Sequence, residues 1–193
     1  MIIGITGGTG CGKTTLLDLI RSRGAMVLDC DRIYHDLLKT DPALLSAIEN
    51  RFPGTVENGV LLRKKLGGLV FSDPQALSDL NGITHHAVTA AVIKALEAKP
   101  SLAAIDAIGL FESGLNRLCD VTVAVTAPRE VRVQRLMARD GITESYARSR
   151  IDAQPDNAVF SALCDYTLEN SGDPGVFVSN CLAFFREIGI MEW

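Results

Sequence analysis

Residues 4–15 read Gly-Ile-Thr-Gly-Gly-Thr-Gly-Cys-Gly-Lys-Thr-Thr, and Gly7, Gly12, Lys13 and Thr14 within them satisfy the pattern G-x-x-x-x-G-K-[ST]. The flanks fit the chemistry of that pattern. Residues 1–6 form a short apolar run suited to a buried strand, and Thr15-Leu-Leu-Asp-Leu-Ile-Arg21 carries helical periodicity. Strand, glycine loop and helix in this order constrain the chain strongly. Glycines at 7, 8, 10 and 12 reach backbone angles that a Cβ would forbid, so successive N–H groups point inward beside the positive end of the next helix. Gly8, Thr9, Gly10, Cys11, Gly12, Lys13, Thr14 and Thr15 are therefore the candidate contacts to a nucleoside triphosphate. Lys13 is expected at the β- and γ-phosphates, and the Thr14 hydroxyl is expected to ligate Mg²⁺.

Beyond the loop, strand-like runs recur at 25–28, 102–108, 121–126 and, more weakly, 166–168, separated by helical stretches. Strands alternating with helices predict a three-layer α/β/α fold of the phosphate-loop NTPase type, with a parallel five-stranded sheet covered on both faces. The second strand is expected to end near Asp29, after which residues up to 100 read as helical pieces at 33–39, 42–51, 63–71, 74–80 and 84–98. That insert is too large for a plain crossover and predicts a substrate lobe over the strand ends. A second helical excursion, 134–150, belongs to a segment rich in arginine at 129, 132, 135, 139, 148 and 150 and predicts a lid. The expected organisation is one kinase-like domain with its core at about 1–30, 100–128 and 156–193, a substrate lobe at about 31–99 and a lid at about 129–155.

Composition narrows the class. A formal charge of −4 leaves no global excess of positive charge for general nucleic-acid binding. No segment approaches the roughly 18 uninterrupted apolar residues of a membrane span. The five cysteines (11, 30, 119, 164 and 181) form no C-x-x-C pair, and the N-terminus lacks the pattern of a signal peptide, so a cytoplasmic protein with reduced thiols is expected.

Several further residues could carry chemistry. Asp29-Cys30-Asp31 follows the second strand, where a carboxylate could accept a hydroxyl proton during phosphoryl transfer; the same residues could equally cap the helix that begins there. Asp106 closes the third core strand at a place suited to the outer sphere of Mg²⁺. Arg135 and Arg139, at i and i+4, share one helix face and could close over the γ-phosphate. His85-His86 reads as a surface or substrate contact, because adjacent helical residues diverge and no ligand cluster accompanies them. Asn170-Ser-Gly172 reads as a turn after the last strand that could lie against a base.

In this order the motifs resemble the dephospho-coenzyme A kinase family over nearly the whole chain. The resemblance runs through residues 4–14, Val27-Leu-Asp-Cys-Asp-Arg-Ile33, Leu62-Arg-Lys-Lys-Leu-Gly-Gly-Leu-Val-Phe-Ser-Asp-Pro74 and Leu80-Asn-Gly-Ile-Thr-His85. It continues through 106–113, Cys119-Asp120, 135–141 with Arg150 and Gln154, and Cys164-Asp-Tyr-Thr-Leu-Glu-Asn-Ser-Gly172. The resemblance implies ATP- and Mg²⁺-dependent phosphorylation of the ribose 3′-hydroxyl of dephospho-coenzyme A. It implies Asp31 as base, Lys13 as phosphate clamp, Thr14 as metal ligand, Arg135 and Arg139 on the nucleotide side, and Asn170 and Gly172 in the adenine pocket. Arg63, His85 and Asp106 join Asp31 on the acceptor side. It further implies a small-molecule partner, no nucleic acid, no membrane, and a monomer or small homo-oligomer. The chain departs from the family's usual pattern at His86, where proline is common, at Ile108-Gly109 in place of Pro-Leu, and at Cys11 in place of serine. Two other readings stay open on the residues alone: another small-molecule kinase of this fold, such as a nucleoside or nucleotide kinase, and a nucleotide-dependent regulatory switch. Asp106-Ala-Ile-Gly109 fits the D-x-x-G of GTP switches, but no N-K-x-D accompanies it.

Overall fold

The computed structural model describes residues 1–190, in two compact units: 1–27 with 100 onward, and 28–99. The first unit is built on strands β1 (Ile2–Thr6), β5 (Ala103–Asp106), β6 (Val121–Thr126) and β7 (Tyr166–Glu169), joined at one edge by β2 (Met26–Asp29), along which the chain leaves the unit. The order is β2-β5-β1-β6-β7. β1 pairs in parallel with both β5 and β6, and β6 in parallel with β7. Parallel strands must be buried on both faces, which the residues of β1 and β6 provide. On one face Ile3, Ile5, Val121, Val123 and Val125 pack against Leu16, Leu17 and Ile20 of α1 (Lys13–Arg21) and Phe177, Cys181, Phe184 and Phe185 of α9 (Pro174–Glu187). On the other face Gly4 leaves room for Leu110 and Cys119, whose side chains would lie within 2.9 Å of any Cβ added there. The five-stranded parallel sheet and its helical layers are those expected from the strand spacing.

Two further helices, α6 (Arg129–Asp140) and α7 (Glu144–Asp152), pack together through Val133, Leu136, Ala147 and Ile151. Gly141, left-handed at φ 65°, ends α6 and turns the chain toward α7. The excursion read as one run over 134–150 is thus a helical pair, its first helix starting five residues earlier, right after Pro128.

In the second unit, α2 (Cys30–Thr40), α3 (Pro42–Arg51), α4 (Arg63–Val70) and α5 (Pro74–Leu96) surround a core of Leu38, Leu44, Ile48, Phe52, Leu66 and Val70. Aspartates cap three of these helices: Asp29 accepts from Arg32 N, Asp41 from Ala43 and Leu44 N, and Asp73 from Gln75 and Ala76 N. The segments 74–80 and 84–98 expected as separate helices are one, because Asn81 and Gly82 stay exposed inside α5 while Leu77, Leu80, Ile83 and Ala87 pack on the same core. That burial outweighs the ~1 kcal/mol helix penalty of a glycine. A hairpin of β3 (Val56–Glu57) and β4 (Val60–Leu61) turns on Asn58-Gly59, both at positive φ.

Candidate active site

The loop between β1 and α1 adopts the backbone its glycines permit. Gly7, Gly10 and Gly12 lie at φ 136°, 78° and 92°, and a Cβ on Gly7 would stand 2.1 Å from the carbonyl oxygen of Val125. α1 begins on Gly12 with no side-chain cap and no acidic residue in its first turn, which leaves N–H donors and the positive helix end for an anion. Lys13 is folded back over the loop, its Nζ donating to Gly7 O at 2.7 Å. Thr14 is exposed, and Cys11 is fully buried in the core, so the cysteine in place of serine packs inward.

The arginine-rich helices reach the loop through Arg135, which the helical spacing points to, and through Arg132, which it does not. Arg132 is 3% exposed and donates from Nε to Thr9 O at 2.9 Å. Gln154 Oε1 accepts from Thr9 N at 2.7 Å and from Arg132 Nη2 at 3.3 Å. A Cβ on Gly8 would fall 2.3 Å from Arg132 Nη2, so that glycine is also the space the guanidinium occupies. Arg135 donates to Gly10 O at 3.3 Å and to Asn170 Oδ1 at 2.9 Å. Asn170, buried, returns a bond from Nδ2 to Cys11 O at 2.9 Å. Its side chain therefore ties the end of β7 to the loop, while Gly172 is exposed with nothing within 4 Å of an added Cβ.

Arg135 and Arg139 do not act alike. Arg139 is exposed and holds Asp140 through Nε and Nη2 at 2.7 and 3.0 Å, and Arg150 bonds the same carboxylate at 2.7 Å. The Arg139 hydrogen bond, with that of Arg150, pulls the Asp140 carboxyl down to about 2. Exposed pairs of this kind hold weakly, so the Arg139 guanidinium is not locked on Asp140. Asp106 ends β5 in register with Ile5 of β1, immediately before the loop.

In the second unit the two acidic residues of Asp29-Cys30-Asp31 divide their tasks. Asp29 is the helix cap, its carboxylate accepting from Arg32 N at 3.0 Å. Asp31 sits exposed in the first turn of α2, where the cap leaves its carboxylate free of that duty. One turn on, His35 Nδ1 lies 3.3 Å from Arg63 Nη2. Burial raises the Tyr34 hydroxyl above its ordinary value, against the opposing charge of Arg63. His85 is half-buried in α5, and His86 lines a cavity of about 690 Å³ with Ile83, Ala87 and Lys94.

Chemically, the first unit offers an anion cradle with one lysine and several arginines, and the second offers an exposed carboxylate one helical turn before His35, which contacts Arg63. Arg132 is a functional candidate that the sequence does not single out, since the helical spacing favours Arg135 and Arg139 among the six arginines of the segment. Its only sequence signal is the position of Arg132 on the apolar side of α6, beside Val133 and Leu136.

Comparison with known proteins agrees with these features. A family model described as CoaE, dephospho-CoA kinase, matches residues 1–174. A dephospho-CoA kinase of Syntrophotalea carbinolica is 37% identical over 178 residues, covering 89% of this chain and 84% of its own. One of Deinococcus radiodurans is 37% identical over 193 residues, covering 97% and 92%. Among solved structures, TT1252 of Thermus thermophilus superposes with a TM-score of 0.82 at 33% identity, covering 97% of each chain. A shikimate kinase of Bacteroides thetaiotaomicron, 12% identical, shares the fold with a TM-score of 0.57, covering 97% of this chain and 98% of its own.

Proposed function

The chain belongs to the dephospho-coenzyme A kinase family and phosphorylates dephospho-coenzyme A to coenzyme A, and we propose that the donor is ATP and the acceptor atom the ribose 3′-oxygen. The observation that carries this reading is the family match over residues 1–174, which spans the phosphate loop together with Asp31, Arg63, His85 and Asn170.

Asp31 accepts the proton of the 3′-hydroxyl as that oxygen attacks the γ-phosphorus in line, the bond to the β-bridging oxygen breaks, and ADP leaves. Lys13 moves from Gly7 O to the β- and γ-phosphates, and Arg139 from Asp140 to the γ-phosphate, so that positive charge meets the oxygens where negative charge is spread in the transition state. Arg135 and Asn170 hold the loop in shape through its carbonyls, and Gly172 leaves space beside the adenine. Arg63 and His85 bind the acceptor. The exposed Thr14 hydroxyl at the head of α1 and the Asp106 carboxylate at the end of β5 are the hard oxygen donors that suit Mg²⁺. When bound, that ion would neutralise phosphate charge. No helix among the described residues is long and apolar enough to cross a membrane.

An ADP-release assay with Mg-ATP, comparing dephospho-coenzyme A with adenosine, AMP and no acceptor, tests the reading. Strong stimulation by dephospho-coenzyme A, with coenzyme A as product, is expected. Stimulation by AMP or a nucleoside alone would place the chain with sister kinases, and acceptor-independent hydrolysis would favour a switch.

A further inference from the structure

The chain holds two Asn-Gly pairs, Asn58-Gly59 and Asn81-Gly82. In such a pair the backbone nitrogen of the glycine can close on the asparagine side chain, because no Cβ stands in the way. Both asparagines are exposed, and neither glycine has an atom within 4 Å of an added Cβ. Solvent access and crowding therefore do not separate the two pairs; the backbone does. Asn81-Gly82 lies inside α5, where the Gly82 N–H is committed to the helical ladder and Asn81 O accepts from the Thr84 hydroxyl at 3.1 Å. Its nitrogen is released only when the helix opens, and Leu77, Leu80, Ile83 and Ala87 hold that stretch of α5 on the core. Asn58-Gly59 is instead the two-residue tip of the β3–β4 hairpin, at φ 50° and 75°. Among the described residues no hydrogen bond engages the Asn58 side chain or the Gly59 amide. The base of the hairpin is fixed, with Val56 N donating to Glu49 Oε2 at 2.7 Å and Leu62 N to Thr55 O at 2.7 Å. The tip is thus free to change its dihedral angles while the chain on either side stays anchored.

We propose that Asn58 is a site of spontaneous covalent modification, in which the folded chain converts this asparagine to aspartate and isoaspartate and spares Asn81. The Gly59 amide nitrogen loses its proton to solvent base and attacks Asn58 Cγ. The new N–Cγ bond closes a cyclic imide, the bond from Cγ to the side-chain nitrogen breaks, and ammonia leaves with a proton taken from water. Water then opens the imide at either carbonyl, so the net reaction takes up one water and releases one ammonia. Opening at the backbone carbonyl leaves isoaspartate, which adds a methylene to the main chain at the tip of a two-residue turn. The register that sets Val56 opposite Leu61 and Glu57 opposite Val60 depends on that turn length and is lost. Leu61 is part of the buried core of this unit, so the modification lowers the stability of residues 28–99.

The test is peptide mapping by mass spectrometry of the full chain, incubated at mildly alkaline pH both folded and in urea, with enzymatic methyl labelling of isoaspartate. In the folded protein Asn58 is expected to convert on the order of tenfold faster than Asn81, or more, because attack at Gly82 waits on the opening of α5. In urea the two sites should convert at similar rates. Asn58→Gln, whose longer side chain closes the ring slowly, should remove the label from the folded protein, and Asn81→Gln should leave it in place. The aged protein should melt below the fresh one, while aged Asn58→Gln should melt where fresh Asn58→Gln does. Equal rates at the two sites in the folded protein, or conversion of Asn58 in urea alone, overturns the assignment. Labelled protein with an unchanged melting temperature overturns the stated effect on the hairpin.

Discussion

Arg132 donates from Nε to the carbonyl of Thr9 at 2.9 Å, so a buried cation of α6 is fastened to the middle of the phosphate loop. The bond joins residues 123 positions apart, and Gln154 closes it by accepting from both Thr9 N and Arg132 Nη2. Loop shape therefore depends on the arginine-rich helices.

Arg132→Ala should destabilise the protein by about 1–3 kcal/mol, the cost of leaving buried polar partners unpaired. Nucleotide binding should weaken as well, because the loop loses its anchor. Thermal unfolding and ATP titration by calorimetry check both effects. An unchanged melting temperature together with an unchanged Kd would show that the Thr9 contact is incidental.

Gly8→Ala puts a methyl group where the Arg132 guanidinium lies, 2.3 Å from Nη2. The two substitutions should therefore be non-additive: Gly8→Ala costs nucleotide affinity in the native background and little more in Arg132→Ala. Gly12→Ala should be worse in either background. It combines φ 92° with a Cβ 2.1 Å from Asn170 Nδ2, and no single partner relieves both. A double-mutant cycle on ATP affinity distinguishes these cases.

Asp29 and Asp31 separate by function. Asp29→Ala removes the α2 cap and should lower stability by about 1 kcal/mol. Asp31→Asn, at an exposed side chain, should leave the melting temperature in place and reduce kcat by roughly 10²–10⁴, the usual worth of a positioned base. Paired melting curves and turnover numbers test the division. Full turnover in Asp31→Asn would remove Asp31 as the base.

The sequence disclosed these parts unequally, for physical reasons. Glycine spacing with Lys13 and Thr14 specifies a backbone conformation, and the apolar run of β6 specifies burial on both faces, so both were legible. The role of Asp29 against Asp31 was not, because either carboxylate fits a cap and only the observed bond to Arg32 N assigns it. Arg132 was hidden for a different reason. Its burial comes from packing against a loop far away in sequence, of which its place on the apolar side of α6 is the one local sign. The continuity of α5 through Asn81-Gly82 likewise depends on a tertiary core that overrides local propensity. The hairpin over 56–61, by contrast, has a local signal in Asn58-Gly59, both at positive φ.

Arg139 should behave as a group spent on catalysis and not on folding. Its guanidinium sits on Asp140 in an exposed ion pair shared with Arg150. Arg139→Ala is therefore expected to leave the melting temperature within a degree or two, since exposed pairs contribute about 0–1 kcal/mol. Turnover should fall by roughly 10²–10³, as when one preorganised charge is removed from a developing anion. Asp140→Asn, which releases Arg139 without removing it, should keep most turnover. Equal losses of turnover in both variants would assign the pair to structure and not to phosphoryl transfer.

The joint between β6 and β7 supplies a pH-dependent prediction. Asp165 accepts from the Thr122 hydroxyl at 2.7 Å and from the Thr122 amide at 2.8 Å. These bonds, the hydroxyl first, hold its carboxyl below the ordinary range. A carboxylate depressed in the folded state adds stability that is fully present above its unfolded pKa of about 3.9 and is lost as pH falls through the folded value. Solvent exposure at Asp165 makes the contribution modest. Asp165→Asn should therefore melt below the native protein by a constant margin from neutral pH to about 5, and the margin should shrink at lower pH as the native carboxylate takes up its proton. Thermal unfolding of the two proteins across that range measures it directly. A margin that stays constant down to the acid limit would mean that the charge of Asp165 contributes nothing to the joint.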